Sequence, residues 1–294
     1  MTEAFVAVTK RRSRTKLQLT FLALLLILVA WLYLPYYLEL RAFQRFRRLG
    51  GQVVILQTDE SWTATFSGKM HCNVVLQLAD SAVQDDDLSE IRSILDLRAV
   101  DLTRTAVTDS GFDRLASQRS LKYLNLDETQ ITDVGLAKLK QFTQLVSLSL
   151  SRTKVTNDGL AYLRDARSVE QLFLNDTAVT DAGLAHLLRL PNLVVLQLDG
   201  TRVTDDGLAE LQKLPQLERL SLNRTSITNA GVKHLARITT LEILELNGTG
   251  ITDDGLGDLA DLPNLEGVML KDTRVTSKAI EELKQKRPDV TVQQ

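Results

Sequence analysis

The sequence offers few side chains suited to acid–base, nucleophilic or metal chemistry. It holds three histidines and one cysteine, which are His71, His186, His234 and Cys72. A single cysteine excludes an intrachain disulfide framework and a thiolate cluster for zinc or an iron–sulfur centre. The sequence contains no G-x-S-x-G, G-x-x-x-x-G-K, H-E-x-x-H or C-x-x-C motif, and these motifs mark several hydrolase, phosphate-binding and metal sites. We therefore expect no catalytic residues, no cofactor and no metal site.

Short polar residues nevertheless recur at one fixed position, once in every 24 residues. They are Asp109, Asp133, Asn157, Asp181, Asp205, Asn229, Asp253 and Ser277. A column of carboxylates could bind calcium, whereas Asp, Asn and Ser together are residues that cap helix N-termini. Capping accounts for the Asn and Ser members without a further assumption, so we interpret the column as helix caps. A second column, Ser81 followed by threonine from Thr105 to Thr273, predicts hydroxyls that satisfy backbone groups at a turn.

Both columns belong to a 24-residue repeat that must position them. Nine units begin, without insertions, at residues 73, 97, 121, 145, 169, 193, 217, 241 and 265. Their template is L-x-x-L-x-L-x-x-T-x-V-T-D-x-G-L-x-x-L-x-x-L-x-x, and its sixth residue is always leucine. Alternating leucines predict a short strand, and G-L-x-x-L-x-x-L predicts a helix with one apolar stripe. Because one unit cannot bury its own core, the units must stack into a solenoid with a parallel sheet.

The strand part of the template, L-x-x-L-x-L-x-x-T, resembles the leucine-rich-repeat signature. The continuation V-T-D-x-G-L-x-x-L-x-x-L is similar to repeats of F-box substrate receptors and of bacterial membrane-anchored leucine-rich-repeat proteins. The resemblance covers residues 73–288, but no F-box precedes them and the late cysteine of the F-box-linked subtype is absent. It implies an α/β, right-handed leucine-rich-repeat solenoid with a parallel concave sheet and convex helices. It also implies a scaffold that binds other proteins through the concave sheet.

The N-terminal head differs from the repeats in charge and hydropathy. Residues 1–48 carry a net charge of +7 and residues 49–294 a net charge of −9. An acidic body argues against nucleic-acid binding. Residues 17–38 contain no charged side chain, and a helix of this length spans about 33 Å, enough to cross a bilayer. The sequence therefore predicts a transmembrane helix, with a cleaved signal peptide and a buried soluble helix as the alternatives.

The segments around the repeats follow from these features. The expected order is a basic tail (1–16), the transmembrane helix (17–38), a basic juxtamembrane segment (39–48), an N-terminal cap (49–72), nine repeats (73–288) and a C-terminal cap strand with tail (289–294). We expect the N-terminal cap to form a strand over residues 53–56, covered by Trp62 and Phe66. Pro288 is expected to end the last helix, since proline cannot continue a helix.

A partner would bind where outward side chains line the sheet, at the third and fifth positions of each unit. An exposed aromatic side chain favours a contact site, and tyrosine and arginine are over-represented among binding hot spots. The predicted partner-binding residues are Tyr123, Asn125, Gln171, Phe173, Gln197, Arg219 and Glu245. An ordinary mixed surface is the alternative interpretation, because scattered exposed apolar residues are normal.

The sequence thus predicts a membrane-anchored module that mediates protein–protein interaction without catalysis. Its partner is an unknown protein or peptide on the concave face, and neither nucleic acid nor metal is expected. We expect a single-pass membrane protein whose repeats lie outside the cytoplasm. Two alternatives are a cytoplasmic-facing substrate receptor or adaptor of the ubiquitin-ligase F-box-repeat type, and a structural envelope or self-association scaffold.

Overall fold

One sheet runs the length of the repeats. The computed structural model describes residues 33–57 and 72–294, and its eleven strands lie side by side in sequence order. The strands are β1 (Gln52–Gln57), β2 (Cys72–Gln77), β3 (Leu97–Asp101), β4 (Tyr123–Asn125), β5 (Ser147–Ser149), β6 (Gln171–Phe173), β7 (Val195–Gln197), β8 (Arg219–Ser221), β9 (Ile243–Glu245), β10 (Gly267–Met269) and β11 (Thr291–Gln293). β1 pairs antiparallel with β2, and the later pairs are parallel.

A short helix follows each strand from β2 to β10. The α-helices are α1 (residues 33–48), α2 (Asp109–Leu115), α3 (Asp133–Leu136), α4 (Asn157–Leu160), α5 (Asp181–Leu187), α6 (Asp205–Leu211), α7 (Asn229–Leu235), α8 (Asp253–Leu259) and α9 (Ser277–Lys286). Three 3₁₀ helices span Asp87–Ser93, Leu139–Gln141 and Ala161–Asp165. Since each unit has 24 residues for a strand, two turns and a helix, the helices stay short.

The leucines of strand and helix form one continuous core. In the unit of β6, Leu172, Leu174 and Leu187 have no exposed surface. Leu172 lies in register with Leu148 of β5 and Leu196 of β7, so the same side chain stacks from unit to unit. The predicted α/β solenoid with a parallel sheet is therefore confirmed.

The threonine column closes the turn after each strand, as predicted. Thr153 Oγ1 donates to the carbonyl of Leu150 at 2.6 Å, and Ser81 Oγ donates to Leu78 in the same way at 2.5 Å. The residue before the hydroxyl adopts a left-handed conformation in every unit, as at Arg152 with φ 55°. Such a conformation costs energy for a residue other than glycine. Here the backbone N–H of Arg152 donates to the Asn175 carbonyl of the next unit at 2.7 Å, which helps to hold the turn.

The aspartate column links successive units, and its predicted role as the helix caps is wrong. The N-cap of each helix from α2 to α9 is the preceding threonine, such as Thr156 of α4. Asp133, from one unit earlier, accepts from the Thr156 backbone N–H at 2.8 Å and from its hydroxyl at 2.7 Å. The same carboxylate bonds join Asp85–Thr108, Asp109–Thr132, Asp181–Thr204, Asp205–Thr228 and Asp253–Thr276. From Asp109 onward, each aspartate is the first residue of its own helix, but its carboxylate bonds the N-cap threonine of the next helix.

The structure also corrects the fold expected at the N-terminus. Within residues 33–57 and 72–294, no helix is both long enough and apolar enough to cross a bilayer. The described helix, α1, packs on the first repeat, because Ala42 and Phe46 are fully buried and Arg45 Nη2 lies 2.6 Å from Asp87 Oδ1. This finding corrects the predicted transmembrane helix and the single-pass membrane localisation inferred from it. Residues 1–32 of the predicted tail and helix lie outside the described residues.

The two ends of the sheet differ in strand direction. β1 lies antiparallel to β2 through six residue pairs, from Gln52↔Gln77 to Gln57↔Cys72, whereas β11 continues the parallel sheet beside β10. The side chains proposed to cover the N-terminal cap, Trp62 and Phe66, lie outside the described residues. At the C-terminal end, α9 stops at Lys286.

Replacing Leu174 with alanine tests the strand register. The side chain has no exposed surface, so Leu174→Ala should lower the free energy of unfolding by about 2–5 kcal/mol through a core cavity. Val134→Ala is the control, since Val134 is 71% exposed and its truncation should change stability by less than about 0.5 kcal/mol. Urea unfolding measures both variants. A loss below about 0.5 kcal/mol for Leu174→Ala would show that this leucine does not face the core.

Two glycine-to-alanine variants should have opposite signs. A Cβ at Gly159 would overlap Asp133 Oδ1 and lie 3.1 Å from Leu136 Cδ1, so Gly159→Ala should destabilise the protein by about 1–3 kcal/mol. A Cβ at Gly257 would meet no atom within 4 Å, so Gly257→Ala should stabilise α8 by about 0.5–1 kcal/mol. Denaturant midpoints give both signs. Equal shifts for the two variants would contradict the tight link between Asp133 and the next helix.

Candidate functional site

The outer face of the sheet carries two columns of side chains, from the third and fifth positions of the units. In register, the third-position column runs Tyr123, Ser147, Gln171, Val195, Arg219 and Ile243. The fifth-position column runs Asn125, Ser149, Phe173, Gln197, Ser221 and Glu245. The seven predicted partner-binding residues thus lie in two adjoining columns, on the five strands β4, β6, β7, β8 and β9. Their role in binding stays a prediction.

Two aromatic side chains stand out on this face. Tyr123 is 48% exposed on β4, and Phe173 is half-buried on β6. Between them β5 contributes only the short side chains of Ser147 and Ser149. Two strand spacings separate β4 from β6, which is about 10 Å. The rings therefore do not touch, and only serines separate them on β5.

Gln197, beside Phe173, has a fixed orientation. Its Oε1 accepts from Asn175 Nδ2 at 2.8 Å. Asn175 is itself held, because its Oδ1 accepts from the Asp199 backbone N–H at 2.9 Å. This bond uses the amide oxygen of Gln197 and does not involve its two Nε2 hydrogens.

Glu245 accepts internal hydrogen bonds that the sequence pattern did not predict. Its Oε2 accepts from Asn223 Nδ2 at 2.8 Å and lies 3.2 Å from the hydroxyl of Ser221. The same two side chains also donate to Asp199, with Ser221 Oγ 2.5 Å from Oδ1 and Asn223 Nδ2 3.0 Å from Oδ2. Asn223 is only 8% exposed. Glu245 therefore forms part of an internal hydrogen-bond network through its Oε2.

Asn125 lies at the other end of the surface, next to a half-buried carboxylate. Its Oδ1 accepts from the Asp127 backbone N–H at 3.0 Å. Asp127 in turn accepts from Ser149 Oγ at 2.5 Å and from the Ser151 backbone N–H at 2.7 Å. Burial raises the pKa of Asp127, although these hydrogen bonds lower it in part. Sequence reasoning missed this seventh-position column, whose signal is a polar residue in each unit from Thr103 to Lys271.

An ionic ladder, also missed, follows the turns at the strand C-termini. Its members alternate in sign, in the order Asp80, Arg104, Glu128, Arg152, Asp176 and Arg224. Arg104 holds the pKa of Asp80 below its usual value through a hydrogen bond. Arg224 Nη2 reaches Asp176 Oδ1 at 3.5 Å across the unit of Gly200. The signal was present in the sequence as alternating charges at the eighth position of the units.

The side chains with catalytic potential do not converge. His234 Nδ1 lies 2.8 Å from Gln212 Nε2, on the helix side of a repeat, and His186 lies 48 residues earlier in α5. His71 and the side chain of Cys72 lie outside the described residues. Where the structure describes side chains, no three His, Cys, Asp or Glu residues group as metal ligands. The outer sheet face offers hydrogen bonds, an aromatic ring and charges, which are the means of non-covalent recognition.

Comparisons with known proteins bear on the repeats. A family model described as Leucine Rich repeat matches residues 117–140 and 237–260. The crystal structure of internalin C2 from Listeria monocytogenes is 29% identical, with a TM-score of 0.53 over 72% of this chain and 85% of that chain. A second Listeria monocytogenes internalin, inlF, is 18% identical, with a TM-score of 0.52 over 74% of this chain and 72% of that chain. No curated protein matches the sequence significantly.

The two solved structures cover 74% and 72% of this chain, whereas the family model matches two short segments. The resemblance to F-box substrate receptors stays a prediction, since the matched family model describes the repeat alone. The chain thus contains leucine-rich repeats, which the family model matches at residues 117–140 and 237–260.

Proposed function

We propose that this protein binds another protein, without catalysis, through the outer face of its sheet. The contact surface comprises seven outward residues on β4, β6, β7, β8 and β9 and is called the sheet surface below. Its residues are Tyr123, Asn125, Gln171, Phe173, Gln197, Arg219 and Glu245. The observation that carries this function is Tyr123, whose ring is 48% exposed on a sheet strand. The similarity to internalins, which share the leucine-rich-repeat fold, supports it.

The chemistry of the sheet surface suits a protein partner. Tyrosine supplies a large, rigid contact area at a low cost in conformational entropy, and tyrosine and arginine dominate binding hot spots. Tyr123 and Arg219 are both exposed at the third position of their units. Gln171 and Phe173 lie between them on β6, and each is half-buried. A partner that covers the surface would therefore meet an aromatic anchor at one end and a guanidinium toward the other.

The surface is also held in place before binding. Internal hydrogen bonds fix Gln197 through Asn175 and Glu245 through Asn223. Side chains that are already ordered lose less freedom on association, which favours affinity. The repeats thus provide a pre-organised surface rather than a flexible loop.

Truncating both aromatic side chains should weaken partner binding. In affinity capture with the tagged full chain from its native cells, Tyr123→Ala/Phe173→Ala should recover specific partners about tenfold less well than the wild type. The matched control is Tyr162→Ala, because Tyr162 is 38% exposed but lies in the 3₁₀ helix Ala161–Asp165, away from the strands. Quantitative mass spectrometry of the captured proteins measures the difference.

A parallel thermal melt shows whether each variant is folded. Loss of the same proteins with the aromatic double variant but not with Tyr162→Ala supports binding at the sheet surface. Equal recovery by the wild type, the double variant and the control would remove the sheet surface as the contact site.

A further inference from the structure

One continuous column of residues marks where the strands begin. The second residues of the units are joined by backbone hydrogen bonds of 2.8–3.0 Å, each N–H donating to the carbonyl one unit earlier, from Lys122 N–H to Arg98 and on to Glu266 N–H to Glu242. This strand-start column reads Arg98, Lys122, Val146, Glu170, Val194, Glu218, Glu242 and Glu266. Its members lie at one edge of the sheet, beside the sheet surface but outside it.

The charge of the strand-start column changes sign along the solenoid. The first two members are basic and four of the last five are acidic. From Ser120 onward, the residues two positions before the column members carry no charge, namely Ser120, Gln144, Ser168, Asn192, Gln216, Thr240 and Asn264. The column is therefore positive at one end of the solenoid and negative at the other.

The charges of this column are not neutralised within the described chain. No ion pair there involves Lys122, Glu242 or Glu266. Glu218, Glu242 and Glu266 follow one another on neighbouring strands, about 4.8 Å apart, where like charges are destabilising. By contrast, the ionic ladder at the opposite ends of the strands alternates in sign. The strand-start column thus keeps an uncompensated charge that a second surface of opposite polarity would neutralise.

We propose that two copies of this chain associate through their strand-start columns, antiparallel and related by a two-fold axis. Such an interface brings the same patch from both copies together, so the patch must complement itself. With the axis between Glu170 and Val194, Arg98 faces Glu266 of the partner subunit. In the same register Lys122 faces Glu242 of the partner subunit.

The register follows from the charges. With the axis between Glu170 and Val194, the remaining pairs are a valine with a glutamate, so no like charges meet. Moving the axis onto Glu170 places Glu170 against Glu170 of the partner subunit, which is a like-charge pair. Moving it onto Val194 places Glu170 against Glu218 of the partner subunit. Among these three, only the central register has two opposite-charge pairs and no like-charge pair.

This association is expected to depend strongly on salt. Exposed ion pairs add little affinity each, and complementary charge chiefly sets register and association rate. Raising the ionic strength from about 0.05 to 0.5 M shortens the screening length several-fold. The dimer of the full chain should therefore be weaker at high salt and dissociate at a higher protein concentration. Sedimentation of the full chain over a concentration series at both salt levels measures this change.

Charge reversal gives the sharper test. Lys122→Glu and Glu242→Lys each place two like-charge pairs in the interface, so each variant alone should associate at least about tenfold more weakly. An equimolar mixture of the two variants makes both pairs complementary again, and the double variant Lys122→Glu/Glu242→Lys does the same in one chain. Both should recover association to near the wild-type level. Lys154→Glu, an exposed reversal after β5 and outside the column, is the control and should leave association unchanged.

A zero-length carbodiimide cross-link identifies the contact directly. Lys122 and Glu242 flank strands that are five positions apart in the sheet, a span of about 24 Å, so an amide between their side chains must join two copies. Mixing isotopically labelled and unlabelled full chains should show the labelled–unlabelled peptide pair. Sedimentation that the single reversals leave unchanged, or a mixture that recovers no more than either variant alone, would overturn the two-fold contact.

Discussion

The structure depends on the fact that no unit can satisfy its own polar groups. A three-residue strand has no partner within its unit, and its backbone pairs only with neighbouring strands, as β6 does with β5 and β7. The helix that follows is capped by Thr156 or its equivalents, and that threonine is held by a carboxylate from one unit earlier. Burying such groups without partners would cost more than the leucine core of one unit could supply. Stacking is therefore the condition for folding, and each unit is completed by the next.

This constraint also decides which side chains remain free. Buried apolar side chains, most of them leucine, take the inward positions. The aspartate column links neighbouring units, and the threonine column closes the turn within each unit. The third and fifth positions of the strands escape both demands, so their residue types vary from Tyr123 to Glu245 without loss of the fold. Variation at these positions lets one scaffold carry different recognition surfaces. Even there, neighbours such as Asn175 and Asn223 restrict the side chains, which makes the face ordered as well as variable.

The charged side chains at the two edges of the sheet are arranged differently. At the strand C-termini, Arg152 lies between Glu128 and Asp176, at 3.4 Å and 3.1 Å, so the charges cancel within the chain. At the strand starts, the charges are segregated along the solenoid and no such pairing is available. An edge whose charges are neutralised by internal ion pairs attracts a charged partner only weakly. An edge with positive charge at one end and negative charge at the other attracts a surface with the opposite arrangement. The sheet surface lies between these edges.

The sequence by itself determined the repeat, the leucine core, the turn hydroxyls and the outward positions, because a 24-residue period reports which side of each unit is buried. It therefore located Tyr123 and Phe173 on one face. It misassigned the aspartate column, since the bond from Asp133 to Thr156 joins residues 23 apart and depends on how the units stack. Hydropathy likewise suggested a membrane span near α1, but only the tertiary structure showed that Phe46 is buried against the first repeat. Local sequence patterns specify which side chains of one unit are buried or polar. The register between stacked units decides which residues of a neighbouring unit bond to them.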